Sequence, residues 1–263
     1  MTRGLLAWTS LWLASVAGCG DEPPPGGDGD ADADSDGDGD GDGDGDGDGD
    51  QPPALFPLTP GTVWQYEEQA PGGATRTLRK EITGCETVTF PDCDSGDDVT
   101  FDTYVWDSTG SANPDENGIA YLAVTDDGVM RVRQEMYAAG TLEFTQRYSP
   151  GFLRFPAPPL TEGRVLEDLH SRCETDEATG DVTVVPKDYS WTIEAFEAVD
   201  VPAGHFDGCL RARRANQDTG ETKLFWFCDG VGKVLEHSVD DAGAVLATEE
   251  LTDFTIGDGD CSF

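Results

Sequence analysis

The chain has 263 residues, with 53 acidic and 16 basic side chains and a formal net charge of −37. A field of that sign works against nucleic acid and anionic lipid as partners and favours cationic or neutral ones. Hydrophobic residues still make up 37% of the chain, enough for a core in the part that is not low-complexity.

Arg3 is the one charge in the first twenty residues, and an apolar run from Leu5 to Val16 follows it. That run is too short to span a bilayer as a helix. A cationic start, a short apolar centre and small residues before a cut have the pattern of a secretory signal, here residues 1–18. Val16-Ala17-Gly18-Cys19 resembles the lipobox of bacterial lipoprotein precursors, with valine where leucine is commoner. The resemblance implies that Cys19 becomes the lipidated first residue, attached to the membrane through its acyl chains. Several chains anchor stably where one does not. Gly20, and not aspartate, follows the cysteine, which favours the outer membrane of the cell envelope.

Residues 19–54 are expected to be a disordered tether. From Asp28 to Asp50 an aspartate stands at every second position, mostly alternating with glycine, so the run is flexible and self-repelling. Asp32-Ala33-Asp34-Ser35-Asp36-Gly37 opens like an EF-hand loop, but its twelfth position is Gly43 and the bidentate carboxylate is missing. Weak multivalent calcium binding is an alternative role for the tether.

Residues 55–263 hold 39 acids against 15 bases, about −24, and read as mainly β. Alternating strands are expected at 63–69, 75–83, 99–107, 119–125, 129–137 and 141–148, with Asp126-Asp127-Gly128 as a hairpin turn. Residues 164–172 could be a short helix or a strand. Pro57-Leu58-Thr59-Pro60-Gly61-Thr62-Val63 returns as Pro159-Leu160-Thr161-Glu162-Gly163-Arg164-Val165, an offset of 102, and Asp127-Gly128-Val129 returns at that offset as Asp229-Gly230-Val231. Two pseudo-repeats, about 57–150 and 159–258, are therefore expected, as antiparallel meanders that form a curved sheet, a sandwich or an open barrel.

In the second half, Gln217-Asp218-Thr219-Gly220 turns one strand into the next. Pairing Gln217 with Gly220 sets Cys209 opposite Cys228. It also turns Leu210 and Ala212 toward Phe227 and Phe225, in the core, and leaves Arg211 and Arg213 beside Trp226 on the other face. Arg211 and Arg213 are candidate anion contacts. Trp191, Phe225 and Phe227 are candidates to line a cavity for an apolar ligand or lipid. Without Cys19 six cysteines remain, an even set that suggests three disulfides in an exported chain. The expected pairs are Cys209–Cys228, Cys85–Cys93 across a short loop, and by elimination Cys173–Cys261.

The stretch Pro57 to Tyr66, with Val201-Pro202-Ala203-Gly204-His205-Phe206 and Gly230-Val231-Gly232-Lys233-Val234, resembles bacterial exported β domains that carry P-L-x-x-G-x-x-W-x-Y, V-P-A-G-x-F and G-V-G-x-V. These are turn and strand motifs; the resemblance implies a fold and no site. No G-x-S-x-G elbow and no phosphate loop is present, and His170, His205 and His237 lack ligand spacing. The expected function is a lipid-anchored envelope protein whose β domain binds or scaffolds other envelope components, without catalysis, metal or cofactor.

Overall fold

A computed structural model describes residues 55–69, 73–110 and 117–263. The signal segment, Cys19 and the acidic tether lie outside the described residues.

Twelve antiparallel strands form a closed barrel. They are β1 (Val63–Gln69), β2 (Thr75–Pro91), β3 (Asp98–Thr109), β4 (Gly118–Thr125), β5 (Gly128–Ala138), β6 (Thr141–Pro156), β7 (Val165–Asp176), β8 (Val182–Val201), β9 (Gly204–Asn216), β10 (Thr222–Cys228), β11 (Gly232–Val239) and β12 (Val245–Thr255). Each strand pairs with its sequence neighbours, and β1 pairs with β12 from Val63↔Thr255 to Gln69↔Thr248 to complete the ring. Of the three architectures open to the sequence, the observed one is a barrel, and it is shut. Residues 164–172 are strand, within β7.

Three hairpin turns use one design. Asp92, Asp176 and Asn216 each accept two backbone N–H groups through a side-chain oxygen, at Asp94 and Ser95, Ala178 and Thr179, and Asp218 and Thr219. A hydroxyl three residues on, from Ser95, Thr179 or Thr219, accepts the N–H of the residue that leads into the return strand. Gly96, Gly180 and Gly220 follow with φ of 75–77°, a region that glycine occupies without strain. Part of the acidic excess is thus turn chemistry.

The 102-residue offset reappears as hydrogen bonds. Thr62 N–H donates to Thr59 O and Arg164 N–H to Thr161 O, both at 3.0 Å. Gly61 N–H donates to Ile82 O and Gly163 N–H to Ile193 O, at 2.7 and 2.8 Å. β1–β6 and β7–β12 therefore start alike.

Two hairpins outgrow the barrel and fold over it. Beyond Tyr104, β3 no longer pairs with β4. The rest of the β2–β3 hairpin crosses the outer face of β4 to β6, where Val88 and Phe90 join the core with Tyr121, Ala123 and Met130. Its tip is fixed at β6 and β7: Asp92 accepts from Ser149, Pro91 O from Arg147 Nη1 at 3.0 Å, and Cys93 is bonded to Cys173. The β8–β9 hairpin does the same six strands later. Val199 and Phe206 cover Trp226, Leu235 and Leu251, and Ala203 N–H donates to Leu251 O at 2.9 Å. The Val201-Pro202-Ala203-Gly204 motif is the tip of this flap.

The Cys209–Cys228 disulfide joins β9 and β10 with Cα atoms 4.3 Å apart. The other two expected pairs do not form. Cys85 is bonded to Cys261 and Cys93 to Cys173. The reason is the length of β2, which passes a bulge between Ile82 and Gly84 and runs on to Pro91. Eight residues of extended chain put Cys93 roughly 26 Å beyond Cys85. Cys85 instead meets the C-terminal tail, which also bonds back through Gly257 N–H to Thr62 Oγ1 and Gly259 N–H to Pro60 O.

Candidate functional site

Alternation sorts the strand residues between wall and interior. On β9, Leu210, Ala212, Arg214 and Asn216 are buried, whereas Arg211 and Arg213 lie only partly covered on the opposite face. The register Leu210↔Phe227 and Ala212↔Phe225 puts those rings inside. Arg211 and Arg213 do not make an anion site, because carboxylates already hold them. Arg211 Nε donates to Glu194 at 2.9 Å and its Nη1 to Glu197 at 3.1 Å, and Arg213 Nε donates to Glu194 at 2.5 Å. Trp226 Nε1 donates to Glu197 at 2.7 Å and completes the cluster. With 39 acids in the domain, exposed arginines find partners on neighbouring strands.

Trp191, Phe225 and Phe227 do line the interior, and Trp191 stacks on Phe225 at 5.2 Å. They do not enclose a hollow for an acyl chain. The void beside Phe225 and Phe227 measures about 30 Å³, the space of one water molecule. The guanidinium of Arg214 lies among these rings, 5.1 Å from the centre of Phe225 and 5.6 Å from that of Trp191.

Toward β1 the interior is an ion-pair network. Lys80 and Lys233 both donate to Glu249 at 2.8 Å, while Lys223 and Lys233 donate to Glu236 at 2.7 and 2.5 Å. Burial alone would push the Glu236 carboxyl up. Lys223, Lys233 and Lys80 outweigh burial and hold it well below the usual carboxylate range. Burial likewise works against charge on Lys233, and Glu236 with Glu249 keeps its pKa raised. Tyr66 and Trp64 on β1 close this side: Tyr66 Oη donates to Lys233 O at 2.9 Å and Trp64 Nε1 to Val231 O at 2.6 Å.

On the far side lies a wider cavity of about 150 Å³. Arg131, Arg154 and Arg214 separate it from the small void and border both. Arg172, Lys187 and Lys223 stand on its wall, with Tyr148, Tyr189 and His170. Glu221, exposed beside the β9–β10 turn, is the acid on that wall. Asp168 accepts from His170 Nδ1 at 2.9 Å with both side chains buried, and also from Leu153 N–H at 3.2 Å, so the imidazole is fixed in orientation. Counting Lys80 and Lys233, eight of the domain's 15 basic residues line the two spaces. The surplus acid is on the outside, and most of the base is within. Among the described residues no group of three or more His, Cys, Asp or Glu side chains could hold a metal ion.

Two other histidines make the fold sensitive to pH. Burial against Trp226, with ring centres 5.0 Å apart, lowers the pKa of His237 below 6.5. The folded state therefore resists a proton that the unfolded chain accepts, and stability falls as pH drops through 6.5. His205, exposed between Asp200 and Asp207, is shifted the other way by its hydrogen bonds to them. Its small contribution is present below 6.5 and fades as pH rises through its raised value. Replacing His237 by glutamine is expected to flatten the loss of stability between about pH 7 and 5.5. Denaturant midpoints measured at both ends of that range, for both chains, check this. An unchanged slope would assign the acid sensitivity elsewhere.

No family model matches the chain, and no curated protein matches it. Two solved structures are similar. One is a candidate lipoprotein from Parabacteroides distasonis, 15% identical, with a TM-score of 0.43, covering 76% of this chain and 98% of its own. The other is a candidate exported protein with a YmcC-like fold from Bacteroides fragilis, 11% identical, with a TM-score of 0.46 and the same coverage.

Proposed function

We propose that the chain is a lipid-anchored, non-catalytic binding protein of the cell envelope. Cys19 holds it to the membrane, the outer membrane by preference, and the barrel receives a solute in its interior. The inversion of charge between outside and inside carries this reading. A domain of about −24 that turns eight of its 15 bases inward spends them on something other than its own surface. Three disulfides suit an oxidising, extracytoplasmic compartment. Bacterial exported β domains are also what the Pro57–Tyr66 motif resembles.

Mass spectrometry of the mature chain from a membrane fraction tests the anchor. The expected amino terminus is Cys19 with an added diacylglyceryl mass, and Cys19→Ser is expected to move the protein into the soluble fraction. An unmodified thiol at residue 19, or a chain still starting at Met1, would overturn it.

A further inference from the structure

The three inner arginines meet at one ring. The guanidinium carbons of Arg131, Arg154 and Arg214 lie 5.8, 5.3 and 5.1 Å from the centre of Phe152. Three like charges held this close repel one another, and the low-dielectric surroundings strengthen the repulsion. The neighbours of Arg131 and Arg214 do little to offset it. Among the described residues Arg214 faces the rings of Phe152, Tyr189, Trp191 and Phe225, with no carboxylate on it. Arg131 donates Nη1 to the neutral amide of Gln134, and its Nε is buried without an acceptor. Arg172 Nε and Trp191 Nε1 are further buried donors without acceptors. Arg131, Arg214 and Trp191 are each more than nine-tenths buried. Unmet donors cost free energy wherever they are buried, and those of Arg131 and Arg172 belong to residues on the wall of the wider cavity.

We propose that this site binds a small solute bearing an oxyanion, a phosphate or a carboxylate, clasped by Arg131, Arg154 and Arg214. The proposal deepens the binding reading above and rests on it. A planar guanidinium matches either oxyanion with two parallel N–H donors. Ring contacts take up no N–H donor of Arg214, so its fork is open to a ligand, and the buried Nε of Arg131 adds a further donor. The cavity size limits the solute to a compact group, because about 150 Å³ is far less than a lipid occupies. Tyr148 and Tyr189 border the same space and add hydroxyls.

The test uses the mature, disulfide-bonded chain. Isothermal titration is run with inorganic phosphate, with succinate, and with vesicles of phosphatidylglycerol, which present the same anion on a lipid. Native mass spectrometry of the freshly purified protein runs in parallel. Saturable binding of phosphate or succinate is expected at one site per chain, with none to the vesicles. Arg214→Gln is expected to weaken binding at least tenfold, while Arg211→Gln on the outer face leaves it unchanged. Should Arg214→Gln fail to fold, Arg154→Gln serves as the second inner variant. An exposed anion site weakens steeply with salt, whereas an enclosed one is screened much less. Binding that persists in 0.3 M chloride is therefore expected.

No binding of either small anion, or binding equally lost in Arg211→Gln, would overturn the proposal. A neutral molecule found bound in the native spectrum would overturn the anion and keep the binding reading. An empty barrel that takes up no anion would bring down both.

Discussion

A chain with serine at both Cys85 and Cys261 is expected to lose about 5 kcal/mol of stability by the chain-entropy relation, the largest loss among the three disulfides. The bond spans 176 residues of sequence, against 80 for Cys93–Cys173 and 19 for Cys209–Cys228. The same relation gives roughly 4–5 and 3 kcal/mol for these two. Two hydrogen bonds, from Gly257 and Gly259, would still tie the tail to the start of β1. Cys209 and Cys228 sit on paired strands that a short turn already brings together, so their bond removes less freedom from the unfolded chain. Denaturant unfolding of the three double-serine chains, without reductant, checks the order. A loss at Cys209–Cys228 as large as at Cys85–Cys261 would show that native packing, and not loop closure, sets the effect.

The second large effect is expected from the inner ion pairs. Glu236→Gln should cost about 3–5 kcal/mol, because it removes one partner from a buried pair and leaves Lys223 and Lys233 facing a neutral amide. Lys233→Met should cost less, about 1–3 kcal/mol, since Lys223 still serves Glu236 and Lys80 still serves Glu249. The asymmetry follows from geometry: Lys233 bridges the two carboxylates, and each keeps another lysine when Lys233 is lost. Thermal unfolding of both variants near neutral pH measures it. Equal losses would mean that Lys223 and Lys80 do not compensate for the Lys233 ammonium, which lies 5.3 Å from the centre of the Tyr66 ring.

Much of the barrel is written in short-range patterns. The Gln217–Gly220 turn and the alternation on either side specify the β9–β10 register as far as Cys209 opposite Cys228, because a slip of one residue would turn Phe225 and Phe227 outward. Ring closure is not written that way. The pairing of β1 with β12 joins residues some 190 positions apart, and no local signal reports it. The length of β2 was hidden for another reason. Thr83-Gly84 looks like a break, whereas the chain absorbs it as a bulge and continues. That one misreading misassigned two disulfides.

The inner arginines fall between these cases. Arg214 shares parity with Leu210 and Ala212, so the alternation that buried them also points it inward. Arg131 depends on the shift in register between Tyr121 and Leu122, which alternation cannot foresee. Arg154 lies an even count past Tyr148, and Tyr148, Phe152 and Arg154 all border one cavity, so alternation along β6 does reach it. The site is gathered from β5, β6 and β9, so it exists only once the ring is shut.

Closure at β1 and β12 also decides how the barrel can be handled. The segment leading into Val63 and the tail leaving Thr255 meet at one rim, while Lys187 and Glu221 beside the wider cavity belong to the other. A dye, bead or fusion partner joined to Phe263 would leave that far doorway clear.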